Sequence, residues 1–84
     1  MDKIELVKRI ILNPKIITGK PIIRGTRLSV HYILKLLRDG YTFDEILEEY
    51  KELEKEDIIA CLLFASSSLE DISFMPFNEE FGYD

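Results

Sequence analysis

Hydrophobic residues recur at two different spacings along the chain, and the change between them falls near Ser29. Beyond it the spacing is helical. Val30, Ile33, Leu34 and Leu37 stand at i, i+3, i+4 and i+7, which predicts a helix from Val30 to about Asp39 with one apolar stripe. Ser29 supplies its N-cap and Gly40 its C′ residue, while His31, Lys35 and Arg38 occupy the opposite face. Thr42 and Glu45 then form a capping box, with Tyr41 placed to staple against Ile46. A second helix follows, its apolar positions Phe43, Ile46, Leu47 and Tyr50. A third runs from near Lys55 to about Leu69, where Ile58, Cys61, Leu62, Ala65 and Leu69 make one stripe. Ile59, Leu63 and Phe64 widen that stripe beyond what one neighbour covers, which predicts a central helix or one at a dimer interface.

Before Ser29 the apolar residues come in short pairs. Residues 3–9 suit a short helix with Ile4 and Val7 on one face, and Ile10-Ile11 favours an extended segment halted at Asn13-Pro14. From Lys15 to Leu28, Gly19, Pro21 and Gly25 break the chain into short strands around turns, with a bend at Arg24-Gly25. Strands this short need a partner, either Ile10–Leu12 or a second chain. After Asp71, Ile72–Phe77 is apolar, proline-broken and expected to be extended, and Asn78–Asp84 is acidic and aromatic. The expected fold class is α+β, mostly α. Short N-terminal strands lead into a three-helix, helix-turn-helix-like bundle; residues 1–72 form the domain and 73–84 an extended C-terminal tail.

Size and composition narrow the classes. Eighty-four residues make one small domain whose core is marginal, so a partner or second copy would help it. At 46% hydrophobic and 32% charged the chain is neither disordered nor low-complexity. The longest mostly apolar stretch, Ile58 to Ala65, is far below the ~20 residues that span a bilayer. Met1–Glu5 has no signal-peptide pattern, so the expected location is cytoplasmic, away from any membrane. A single cysteine, Cys61, and a single histidine, His31, build neither a disulfide nor a metal cluster.

Charge adds a division. Residues 1–40 carry +6 and residues 41–84 carry −11, within a net charge of −5. Such asymmetry suits a cationic face for an anionic partner and an acidic arm for another contact, although solvated charge blocks also arise without function. No catalytic constellation emerges. Ser66-Ser67-Ser68 lacks a neighbouring base, Cys61 lies on an inner stripe, and Glu48, Glu49, Glu52 and Glu54 have no histidine beside them. Gly19-Lys20-Pro21 and Gly25-Thr26-Arg27 match no Walker or dinucleotide pattern. A non-enzyme without cofactor or metal is expected.

The segment Gly19-Lys20-Pro21-Ile22-Ile23-Arg24-Gly25-Thr26-Arg27-Leu28-Ser29-Val30 is the most informative. With Asp39–Leu47 and Leu53–Ile58 downstream, it resembles domain-of-unknown-function family 433 over roughly residues 9–70. The blocks are a G-x-P-x-I-x-G-T-R segment, a helix ending in glycine, T-x-x-E-I-L, and a final helix opened by a capping residue. The resemblance implies a helix-turn-helix-related fold and a VapB-type antitoxin. Such a chain neutralises a PIN-like nuclease by direct binding and autoregulates its operon through operator DNA. By that pattern Thr42 to Ile58 supplies the helix-turn-helix pair. Glu54, Glu56 and Asp57 would repel phosphates there, so the DNA- or partner-binding candidates are Lys20, Arg24, Thr26, Arg27, His31, Lys35 and Arg38. Arg24 or Arg27 could equally enter the carboxylate cluster of the nuclease. A plainer reading leaves Gly25 satisfying a turn and Arg27 bridging to a carboxylate of the second helix. In the tail, Phe74, Met75, Phe77, Phe81 and Tyr83 are the toxin-binding candidates, since aromatics and Met are enriched at interfaces. The wide third helix suggests a homodimer. Two other classes stay open: a stand-alone DNA-binding regulator and a structural dimerisation adapter.

Overall fold

Asp2 starts the first helix by accepting the Glu5 amide on its side chain at 2.9 Å. In the computed structural model, residues 2–12, 15 and 20–70 are described; the tail candidates lie outside them. The order is α1 (Lys3–Val7), β1 (Ile10–Leu12), β2 (Pro21–Ile23), α2 (Val30–Arg38), α3 (Phe43–Glu49) and α4 (Lys55–Glu70). The fold is α+β and mostly helical. β1 and β2 pair antiparallel, Ile10 opposite Ile23 and Leu12 opposite Pro21, so the short strands find their partner within the chain.

Each boundary has a chemical cause. A turn follows β2, where Gly25 takes φ +79°. Thr26 clamps it: its hydroxyl donates to the Ile23 carbonyl at 2.8 Å and accepts the Leu28 amide at 3.0 Å. The returning chain bridges Ser29 to Ile22, and the Ser29 hydroxyl then accepts the Tyr32 amide to open α2. At its far end the Gly40 amide donates to the Leu37 carbonyl and that of Tyr41 to the Leu36 carbonyl, with Gly40 at φ +98°. That is the double bond pattern of a glycine-terminated helix. α3 follows after two residues, opened by the reciprocal Thr42–Glu45 bonds of 2.8 and 3.1 Å. No atom lies within 4 Å of a Cβ added at Gly25, so Gly25→Ala meets backbone strain alone. Urea unfolding should show a loss of about 1 kcal/mol.

The core forms where β2, α2, α3 and α4 meet: Ile22, Ile23, Val30, Ile33, Ile46, Leu53, Ile58, Ala60 and Cys61. α4 packs against α1, β1, α2 and α3, which makes it the central helix. Its buried stripe differs from the expected one. Asp57, Ile58, Ala60 and Cys61 face inward, whereas Leu62 and Leu69 are 42% and 59% exposed. The reason is that α1 and β1 pack on one flank of α4, which leaves the Leu62–Leu69 flank uncovered. α1 is peripheral too, with no buried residue and with Ile4 and Val7 exposed.

Candidate interaction surface

Arg9 sits between α1 and β1 and reaches across to the start of α4. Its guanidinium donates to Glu54 at 2.8 Å and to Asp57 at 3.0 Å. Asp57 uses its second oxygen to accept the Glu54 amide at 2.7 Å, the half of a capping box that remains when the cap is glutamate. Glu54 and then Asp57 hold the Arg9 guanidinium above its ordinary value by hydrogen bonding. Two of the three carboxylates that open α4 are therefore tied to Arg9. This helix start is a structural joint, a poor candidate for reading a major groove.

The sequence candidates lie elsewhere. Lys20, Arg24, Arg27, His31, Lys35 and Arg38 are all exposed. The Arg24 amide donates to the Arg9 carbonyl at 2.8 Å and its guanidinium to the Lys8 carbonyl at 3.4 Å, and the residue shares a small hollow with Glu5, Lys8 and Arg9. Arg27 forms no ion pair among the described residues, so the bridge to a carboxylate of the second helix is not made. It lines another depression of about 610 Å³, with Lys15 and Glu52 among the walls. The two arginines thus line different hollows, and Thr26 lines that of Arg27. Thr26 itself spends its hydroxyl on the turn. His31, Lys35 and Arg38 form a row along α2, where Arg38 also pairs with Asp39 at 3.0 Å. Both partners of that pair are solvent-exposed, so it holds Arg38 only weakly.

Two further features were not apparent from spacing. Tyr32 on α2 and Tyr50 after α3 join hydroxyl to hydroxyl, their rings edge to face with centroids 5.9 Å apart. The hydrogen bond to Tyr32 is the main reason the Tyr50 phenol is pushed up to about 12. The pair borders an open groove of about 590 Å³ whose rim carries Asp44, Glu45, Glu48 and Glu49. A second, apolar groove of about 270 Å³ runs between α4 and β1. Only the alternation of Tyr32 with the α2 stripe could have hinted at the first of these.

Cys61 is fully buried, as its place on the inner stripe suggests. Burial, then the Asp57 charge, pushes its thiol from 9.0 up to about 12. Above pH 9 the unfolded thiol releases its proton while the folded one keeps it, so this contribution to stability fades as pH rises towards 12. Expected are a steeper alkaline loss of stability than in Cys61→Ala, and iodoacetamide labelling confined to unfolded chain. Among the described residues no group of three or more ligating side chains could hold a metal, and no helix is long and apolar enough to cross a membrane.

Residues 10–65, two thirds of the chain, match the profile of DUF433, described as "Protein of unknown function". The chain belongs to the DUF433 family. A crystal structure of a DUF433 member from Anabaena variabilis superposes with a TM-score of 0.70 at 25% identity, covering 80% of this chain and 67% of that one. An uncharacterised protein of Sinorhizobium fredii, y4eO, is 26% identical over 69 residues, which is 81% of this chain. The chain spans 31% of that relative's length.

Proposed function

We propose that this chain is the non-catalytic antitoxin of a type II toxin–antitoxin pair, neutralising a PIN-like nuclease by direct binding and contacting its own operator DNA. The observation that carries the reading is the state of the G-T-R arginines. Arg9 is consumed by carboxylates of its own chain, whereas Arg24 and Arg27 are exposed on a clamped turn and pair with no carboxylate among the described residues. An unpaired guanidinium on an ordered loop favours a carboxylate cluster or a phosphate, because little side-chain ordering remains to be done on binding. The exposed Leu62–Leu69 flank of α4 suits a second copy, which would make the acting species a homodimer.

Co-expression with a PIN-like nuclease encoded beside the gene tests this. The pair should co-purify and growth arrest should be relieved, with both effects weakened in Arg24→Ala/Arg27→Ala. Promoter DNA should bind the double variant less tightly, with a salt slope smaller by about one unit per arginine. Unchanged toxin rescue in that variant would remove the loop from the mechanism. The exposed His31–Lys35–Arg38 row favours one second reading, a stand-alone DNA-binding regulator. That reading predicts operator binding in the absence of any nuclease partner and no rescue by the parent chain.

A further inference from the structure

The apolar groove lies between α4 and β1. Ala60, Leu63, Phe64 and Ser67, spaced i, i+3, i+4 and i+7, form its α4 wall, and Val7 with all three residues of β1 forms the other. Leu12 on that wall is 64% exposed. The second edge of β1 carries no strand among the described residues, so its backbone groups are open to pairing.

We propose that this groove is the docking site for the chain's own segment Ile72–Phe77, bound in cis, with the acidic end Glu79–Asp84 reaching Lys8 and Arg24. Three observations favour this occupant. The first is position: α4 is described to Glu70, three residues past the groove-lining Ser67, so Ile72 is only five residues in sequence from the groove. The second is length. From Ser67 back to Ala60 is roughly 10 Å along the helix, and six extended residues cover roughly 20 Å. The segment can therefore turn and run back along the whole groove. It offers Ile72, Phe74, Met75 and Phe77, and Pro76 keeps it out of a helix while tolerating an edge position.

The third is charge. Residues 71–84 hold four acidic and no basic side chains. Running back from Glu70 carries the last seven residues towards the start of α4, where Arg9 is already bound to Glu54 and Asp57. The exposed Lys8 and Arg24 share a hollow with Arg9 at that end. The competing apolar strip, Leu62 and Leu69, lies roughly 150° around α4 from the groove, so a second copy seated there leaves the groove open. The inference goes beyond the antitoxin reading and is tested on the chain alone, so either can fail without the other. If both hold, a nuclease must draw this segment out of its own groove to bind it.

The test is photo-cross-linking of the full chain with benzoylphenylalanine in place of Phe74, in an equal mixture of light and 15N-labelled protein. Irradiation should link the probe to Leu63, Phe64, Ile11 or Leu12, and only within chains of one isotope. Leu63→Asp should lower the yield about tenfold, because a charge replaces a leucine in the apolar wall, and Leu62→Asp on the other flank should not change it. If Leu63→Asp does not fold, Ser67→Glu at the groove mouth gives the same reading. Mixed-isotope products would place a second copy in the groove and overturn the proposal. So would links outside the groove, or a probe that returns unlinked after irradiation.

Discussion

Ile58→Ala should lower the unfolding free energy by about 3–4 kcal/mol, the middle of the range for emptying a buried isoleucine site. Ile58 has no exposed surface and belongs to the cluster that joins α4 to Ile23, Ile33 and Ile46. A chain of this length has roughly 4–13 kcal/mol in all, so one truncation removes a large share of it. Urea unfolding followed by circular dichroism would show a lower midpoint with an unchanged slope. Leu62→Ala on the exposed flank of the same helix is the control, and at a concentration low enough to keep the chain monomeric it should stay within about 0.5 kcal/mol of the parent. Equal losses at the two positions would contradict a helix buried along the Ile58–Cys61 stripe.

Arg9→Met should cost about 2–3 kcal/mol, although it lies outside every motif that the family resemblance rests on. Its side chain is only 13% exposed and that of Asp57 only 9%, so removing the guanidinium strands a nearly buried carboxylate. The branch to Glu54 contributes little, because that side chain is 67% exposed. Pairing Arg9→Met with Asp57→Leu should recover part of the loss, since no charge is then left unpaired. The Glu54 amide loses its acceptor, which limits the recovery. A double-mutant cycle measures the coupling, and a value near zero would show that the joint does not hold the N-terminal segment to α4.

Helices were legible because their signals are local. Ser29, Gly40 and the Thr42–Glu45 box each act within four residues, and the boundaries fall where those residues stand. The turn at Gly25 was readable, whereas the partner of the second strand stayed open between Ile10–Leu12 and a second chain, because strand pairing is decided by residues far apart in sequence. Which flank of α4 would be buried was not readable, because that depends on where α1 and β1 return in space. Both Leu62 and Phe64 fit an apolar stripe, and only tertiary packing separates them. Arg9 was invisible for the same reason: its partners are 45 and 48 residues away. Among the candidate cations, exposure was legible from the polar face of α2, but the parting of Arg24 and Arg27 was not, since their hollows are walled by residues distant in sequence, Glu5 and Lys8 for one and Glu52 for the other.

The corner between α2 and α3 has a mechanical consequence. It holds only two residues beyond Gly40, is bonded at both ends, and is braced across its open side by the Tyr32–Tyr50 hydroxyls. The two helices therefore behave as one stiff elbow, and a ligand that tugs on His31 or Lys35 must swing the acidic α3 with it. A fluorophore pair spanning the elbow should therefore stay silent when a partner binds.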